Sequence, residues 1–391
     1  MKIVVLGGAG AMGRVTVMDL VNSSDAEKIV IADGNVTAAQ ALADKLHDKR
    51  ISVEQLDASV STNIDRVLRD ADVVANCLHH NFNLIVMDSA LRTETHYLDL
   101  GGLYNVTKQQ LELNNEWKKA GITAISGMGS SPGTTNIMAA FAVDKLDAVD
   151  SVHIRFGSVS FKKEVNRALS LPYHISTIMD EYSVLSPIFE NGDWKLVAPL
   201  SGEEEIIFPD PIGKAKFFNT IHSETLTFPL SFKEKGIKDV SFKIALPAAL
   251  ADKVRFLVGL GFAGEEKIAI SGTEVAPREF LTLMYNRLPQ DNSDPNDFGM
   301  IRVIVTGEAK GSKCEIIMET GCGADLKDWG VGSGAYRTGM PLSIVAQMLA
   351  KGEITEKGVF APEKCVPVKK YFEELGKRGM VVYSTVKRAE A

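Results

Sequence analysis

The feature that most constrains this chain is its first thirteen residues, with one aspartate twenty residues further on. Residues 2–6, Lys-Ile-Val-Val-Leu, form a short β-branched run of the kind found in buried parallel strands. They lead directly into Gly8-Ala9-Gly10-Ala11-Met12-Gly13, the pattern G-x-G-x-x-G. Gly8 permits a tight strand-to-helix turn, Gly10 lets a pyrophosphate approach the backbone, and Gly13 lets the helix lie close to the strand. A helix over residues 11–22 then aims its free N–H groups at that phosphate. A second apolar run, 28–32, ends on Asp33. That carboxylate lies roughly 20 residues past the fingerprint, where it accepts from the adenosine ribose hydroxyls. Asp33 therefore points to NAD rather than NADP, because a 2′-phosphate would meet its charge. Asn35 is placed to bond the ribose edge.

Strand and helix patterns continue to alternate. Strands are expected at 51–56, 71–78, 96–100 and 122–126, with helices at about 38–47, 62–69, 83–92 and 107–120. This predicts an α/β fold whose N-terminal part is a doubly wound parallel sheet with ligands at the strands' carboxyl ends. The same rule selects Asp57 and Ala58 beside the adenine, Asn76, Cys77 and Leu78 near the nicotinamide, and Leu100, Gly101 and Pro132 closing the site. With Gly8, Gly10, Ala11, Met12, Gly13, Asp33 and Asn35 they make up the expected cofactor contacts.

Beyond residue 133 a helix to about 146 precedes a run of strands, at 151–158, 194–199, 205–208, 225–230, 240–246, 300–309 and 313–320. Helices at 250–260 and 278–288 interrupt them. This predicts a mixed α+β domain carrying an open sheet over 129–335, after a nucleotide domain of 1–128. Residues 290–296 read as a polar surface loop and 330–339 as a glycine-rich return crossing. The segment 336–391 is expected to pack its helices back on the first domain, with Pro341 in a helix's first turn.

Composition narrows the function. A chain of 391 residues is long enough for two cores. A net charge of -7 argues against a nucleic-acid partner. Four cysteines without metal-ligand spacing fit reduced thiols in a cytoplasmic protein. No run approaches the ~20 apolar residues of a membrane span. The adjacent His79 and His80, if on a strand, point opposite ways, which argues against a metal pair; no metal is expected.

Four stretches carry a resemblance. They are the fingerprint with Asp33, His96-Tyr97-Leu98-Asp99-Leu100-Gly101-Gly102, Gly129-Ser130-Ser131-Pro132-Gly133-Thr134-Thr135-Asn136, and the pair Thr338 to Ile344 and Gly358 to Glu363. In this order they resemble the saccharopine dehydrogenase family, including lysine 6-dehydrogenases. The resemblance implies a two-domain homodimer that makes or breaks a C–N bond, with 129–335 as the substrate-binding and dimerisation domain. For saccharopine, the secondary amine is oxidised to an imine that water splits into glutamate and allysine. For lysine, a primary amine is oxidised and ammonia leaves. A carboxynorspermidine-type polyamine dehydrogenase is a further reading, and an NAD-binding sensor without turnover is another; saccharopine is the first expectation.

Amine oxidation needs a proton acceptor. His222-Ser223-Glu224 resembles an H-S-E stretch of some family members, and reads otherwise as a polar turn before a strand. His222 and Glu224 are the first catalytic candidates, with Tyr97 and Asp99 of the Y-x-D-x-G segment. Asp99 either orients a substrate or caps a strand end. Tyr173, His174, Ser176 and Glu181 form a second cluster for the amine substrate. Arg155, with Arg167, Lys243 and Arg337, is a possible carboxylate partner; saccharopine, with three carboxylates, would want several such groups.

Overall fold

The computed structural model describes residues 1–161, 169, 171, 173–246, 248–288, 296–323, 326 and 329–389. The nucleotide half alternates as expected: β1 (Lys2–Leu6), α1 (Ala11–Ser23), β2 (Lys28–Asp33), α2 (Val36–Leu46), β3 (Ile51–Gln55), α3 (Ser61–Leu68), β4 (Val73–Asn76), α4 (Asn83–Arg92), β5 (His96–Asp99), α5 (Leu103–Glu112), α6 (Asn114–Ala120) and β6 (Thr123–Ile125). One helix was expected over 107–120. Two are present, divided by a turn at Leu113, and Trp117 of the second is completely buried.

The second half comprises α7 (Thr134–Val143), β7 (Ala148–Ser160), α8 (Ile175–Ser183), β8 (Ser186–Glu190), β9 (Asp193–Val197), β10 (Glu204–Ile207), β11 (Lys214–Asn219), α9 (Glu224–Ser231), β12 (Asp239–Ala245), α10 (Ala248–Gly259), β13 (Ile268–Ile270), β14 (Thr273–Val275), α11 (Pro277–Asn286), β15 (Asp297–Ala309) and β16 (Ser312–Gly323). The chain ends with α12 (Ser333–Ala350), β17 (Gly358–Phe360), α13 (Pro362–Cys365), α14 (Val368–Lys377) and β18 (Tyr383–Arg388).

Two sheets organise these elements. The first is wholly parallel, in the order β17-β6-β5-β4-β1-β2-β3, so the chain's late return adds a strand to the six read from sequence. The second runs β10-β11-β12-β7-β15-β16-β18, with β8 and β9 branching from β12. Its pairs are antiparallel except β12 with β7. α12 lies against α1, where the buried Asp19 carboxylate accepts from the Ser343 hydroxyl at 2.6 Å and Arg378 Nε at 2.7 Å. The final strand, β18, does not stay with the first sheet; it pairs with β16 at the edge of the second.

Three expectations need correction. Residues 225–230 are helix α9, not strand. Its residues 224–229 are buried on every side, so no amphipathic stripe marks it in the sequence. Pro229 inside α9 cannot donate to the Thr225 carbonyl, and Trp194 Nε1 takes that acceptor at 2.9 Å. Most of the glycine-rich 330–339 segment is already the start of α12, so Pro341 lies inside the helix. Gly339 is needed there because a Cβ would strike the Met12 carbonyl and Val15 of α1. The helix expected from 362 to 378 breaks at Val366-Pro367 into α13 and α14. The loop expected at 290–296 lies outside the described residues except for Asn296.

Candidate active site

The glycine loop follows β1 and fits a dinucleotide. A Cβ on Gly13 would strike the Gly7 carbonyl and come within 2.8 Å of the Gly8 Cα. No side chain caps α1 and no acidic residue stands in its first turn, so its N–H groups are open to an anion. Asp33, at the end of β2, accepts from the Ala9 N–H at 2.9 Å and the Asn35 N–H at 2.8 Å. It thereby fixes the loop over which the ribose would lie. Asn35 uses its own carbonyl oxygen to cap α2, accepting from the Ala38 N–H at 3.0 Å.

The other strand ends are more mixed. Asp57 is exposed and accepts from the Ser59 N–H and hydroxyl, beside the half-buried Ala58. Asn76 is wholly buried. Its amide donates to Asn83 at 3.0 Å and to the Tyr97 hydroxyl at 3.2 Å, and its carbonyl accepts from the Leu78 N–H at 3.1 Å. It has no atom left for a cofactor, so contact there falls to Cys77 and Leu78, both half-buried. Pro132 packs against Gly101 and Gly127, whose φ angles of 119° and 88° leave no room for side chains. Leu100 stands half-buried beside this turn.

Tyr97 and Asp99, expected among the catalytic residues, are 0% exposed. The Tyr97 hydroxyl donates to Asp99 at 2.8 Å. Asp99 also accepts from the Gln110 amide, the Gly101 N–H at 2.8 Å and the Gly127 N–H at 2.7 Å. Burial pushes its carboxyl up despite these donors. This correction has a simple cause: the network sits beneath the strand ends and holds the two glycine turns, with no face toward a substrate.

His222 and Glu224 are brought together by the first turn of α9. The His222 ring stacks on Phe242 of β12, centroids 3.7 Å apart and planes at 12°. Its Nδ1 pairs with a Glu224 oxygen. The other Glu224 oxygen accepts from the Ser131 hydroxyl at 2.6 Å and the Thr135 hydroxyl at 2.8 Å. Burial would push this carboxyl up; the His222 imidazole and the two hydroxyls outweigh that and hold it below its ordinary range. Glu181 of α8 accepts from the Tyr173 hydroxyl. Its carboxyl is pushed up to about 7 by burial, against the opposing pull of Tyr173 and of nearby His222. A carboxyl set near neutrality beside a histidine is suited to proton transfer or to an incoming ammonium.

His174 caps α8, accepting from the Ser176 N–H at 3.2 Å, and its ring lies 4.8 Å from that of His79. His79 and His80 do not point apart as a strand would direct them. β4 ends at Asn76, and in the 3₁₀ turn that follows their rings lie 4.0 Å apart. His80 Nε2 is 3.9 Å from Asp180, which Arg278 also binds. Burial pushes the His79 imidazole down to about 3. Among the described residues, no group of three or more His, Cys, Asp or Glu is placed to hold a metal.

Arg155 is not part of this constellation. It lies on the opposite face of β7 from Phe156, and Glu204 binds its Nε and Nη2 at 3.0 and 2.7 Å. Lys243 shares Glu204 at 2.8 Å. Arg167 lies outside the described residues. Arg337 is buried and donates to the Ser130 hydroxyl at 3.0 Å. The hydroxyl donors Ser131 and Thr135 were not singled out in the sequence. The Ser-Ser-Pro-Gly-Thr-Thr turn that carries the family resemblance contains them, but nothing in its spacing shows that they meet a carboxylate.

Residues 3–125 match the model of the saccharopine dehydrogenase NADP-binding domain, and residues 129–380 that of the saccharopine dehydrogenase C-terminal domain. The chain belongs to the saccharopine dehydrogenase family. It is 24% identical to carboxyaminopropylagmatine dehydrogenase of Synechocystis sp., over 98% of this chain and 97% of that one. It is also 24% identical to carboxynorspermidine synthase of Vibrio alginolyticus, over 92% and 91%. Its fold matches apo saccharopine dehydrogenase (L-Glu forming) of Saccharomyces cerevisiae with a TM-score of 0.75 and 19% identity, over 99% and 100%. This family member is an oxidoreductase acting on CH–NH donors with a nicotinamide cofactor. No described helix is long and apolar enough to cross a membrane.

Proposed function

We propose that this protein is a dehydrogenase of a carboxylated polyamine, joining or cleaving a C–N bond between an amine and a carboxylate-bearing chain. The observation that carries the reading is the makeup of the buried cluster. Two carboxyl groups, Glu181 and Glu224, flank His222, while Arg155 and Lys243 are committed to Glu204. That balance suits a cationic amine with one carboxylate better than saccharopine with three. Relatives that match along more than nine-tenths of the chain carry polyamine names, which moves this reading ahead of the saccharopine expectation.

In the oxidative direction the amine nitrogen gives up its proton and the adjacent carbon its hydride, leaving an imine that water splits to an amine and an aldehyde. The bound nicotinamide supplies the hydride acceptor. His222 takes the amine proton at Nε2, the ring nitrogen that Glu224 does not hold. Glu224 fixes the ring's orientation through Nδ1. Glu181, with Tyr173 behind it, receives a neighbouring ammonium; the arriving cation drives its carboxyl to ionise.

NAD is the proposed cofactor, because a 2′-phosphate would oppose the Asp33 carboxylate. The segment after it, Gly34-Asn35-Val36-Thr37, offers no arginine. A homodimer is also proposed: Phe256, Leu260, Phe280 and Leu283 are exposed apolar residues of α10, its C-terminal end and α11, and light scattering checks it.

The test is NADH formation at alkaline pH with carboxynorspermidine, saccharopine and L-lysine side by side, and NADP in parallel. The fastest turnover is expected with carboxynorspermidine and NAD. Faster turnover of saccharopine with glutamate released, or of lysine with ammonia released, would overturn the reading.

A further inference from the structure

Arg337 is a buried cation that makes no ion pair among the described residues, with Asp297 near enough to act on it only through space. It lies one turn into α12 and is 4% exposed. Its Nε is buried without a hydrogen-bond partner, and what the guanidinium does reach is neutral: it donates to the Ser130 hydroxyl at 3.0 Å and is hydrogen-bonded to the Cys322 thiol. The guanidinium lies over the Phe156 ring, 4.8 Å from its centroid. Gly299 of β15 makes the room, since a Cβ there would run into the guanidinium. Among the described residues no carboxylate is within ion-pair reach. The Asp297 carboxylate is occupied by the Ser333 N–H at 2.9 Å and the Ser333 hydroxyl at 2.7 Å. The neighbouring Cys322 thiol is pushed up to about 11 by burial and stays neutral.

An arginine cannot shed its proton to escape such a site. A buried charge without a partner is costly unless something restores the pairing. An anion that enters on binding would do so.

The placement says which anion. Phe242, under the His222 ring, is in register with Ile154 of β7, and Phe156 is two residues further along that strand. His222 and Arg337 therefore stand over points about 8 Å apart on one sheet face. A carboxylate held about 2.8 Å from the guanidinium leaves a nitrogen about four bonds away beside His222. The same helix also packs on α1, the helix that opens from the dinucleotide loop, where Thr16 donates to the Gly339 carbonyl at 3.0 Å. Arg337 is thus held at a fixed offset from both the proton acceptor and the cofactor.

We propose that Arg337 anchors the substrate's carboxylate and makes the enzyme selective for amines carrying a carboxylate at that distance from the reacting nitrogen. This rests on the reading of the His222 face as the amine site.

The test uses the NAD-loaded protein and two variants, Arg337→Met and Arg337→Gln. For wild type, carboxynorspermidine should be preferred over norspermidine. In both variants the KM for carboxynorspermidine should rise about 100-fold, with a smaller change in kcat, and the preference should vanish. Affinity for NAD should be unchanged. The melting temperature of ligand-free Arg337→Met should not fall, because an uncompensated charge has been removed. A binding readout stands apart from turnover: 4-aminobutyrate should raise the melting temperature of NAD-loaded wild type and leave both variants unmoved. If wild type turns over neither amine but keeps this carboxylate response and the variants lose it, the function above fails and the anchor stands. Variants that keep the full preference and the 4-aminobutyrate response, or that lose NAD affinity instead, would overturn the anchor.

Discussion

The two halves of the proposed site are built from different materials. The cofactor side is almost entirely backbone: Gly8, Gly10 and Gly13, the open end of α1, and one carboxylate, Asp33, that itself holds the loop in place. The substrate side is side chains, gathered from elements far apart in the chain. Glu181 comes from α8, His222 and Glu224 from the start of α9, Ser131 and Thr135 from the turn into α7, and Arg337 from α12. A backbone cradle binds a ligand shared by many enzymes and tolerates little added bulk. A side-chain cluster tunes protons and charge, and single deletions there change chemistry rather than shape.

The sharpest way to break this contrast is to add one methyl group on the cofactor side. Gly13→Ala puts a Cβ against the Gly7 and Gly8 backbone, where no flexible atom can give way. It should abolish detectable NAD binding by calorimetry and lower the melting temperature, as overpacking does at about 1–3 kcal/mol or more. Retained NAD affinity would show that the loop adapts. On the other side, His222→Gln should leave NAD affinity within about twofold while lowering turnover by roughly 10²–10⁴, the range of a lost general base.

These two sides were not equally legible in the sequence. The glycines and Asp33 sit at fixed spacings because backbone geometry dictates them, and they could be read in order. The parallel sheet was legible from alternation alone, apart from β17, which arrives more than 200 residues after its neighbour β6. His222 and Glu224 were visible as a motif, but their setting was not. α9 is buried all round and was read as a strand, which hid that its first turn aims Glu224 at Ser131 and Thr135. Tyr97 and Asp99 looked equally chemical, yet their role is structural. A tyrosine and an aspartate two residues apart at a strand end read the same whether they face a cleft or the core; burial decides it. Arg337 and Arg155 were indistinguishable until Glu204 was found on one and not the other.

The third expected effect concerns Glu181 and is smaller. Its carboxyl stands at about 7 in the folded protein against an ordinary 4.5. Between those values the folded state holds a proton that the unfolded chain has lost, so stability falls as pH rises through that window. Glu181→Gln removes this slope. Its stability relative to wild type should grow from pH 4.5 to pH 7, approaching about 3 kcal/mol, in urea unfolding at a series of pH values. A flat difference across the window would show that burial does not hold this carboxyl up.

The smallest effect is on the cofactor's side chain. Asp33→Asn removes the charge that opposes a 2′-phosphate while keeping a group that can accept from Ala9. The preference for NAD over NADP, measured as the ratio of kcat/KM values, should narrow about tenfold, the weight of one exposed charge-assisted contact. An unchanged ratio would place cofactor choice elsewhere.

Single-turnover hydride transfer in His222→Gln, with NAD prebound and carboxynorspermidine added, tests the division of labour most directly. The backbone side should still load the cofactor with wild-type affinity, while the transfer rate at saturation falls by roughly 10²–10⁴. A wild-type transfer rate at saturation, with the loss confined to NAD affinity, would contradict the assignment of proton chemistry to the side-chain half of the proposed site.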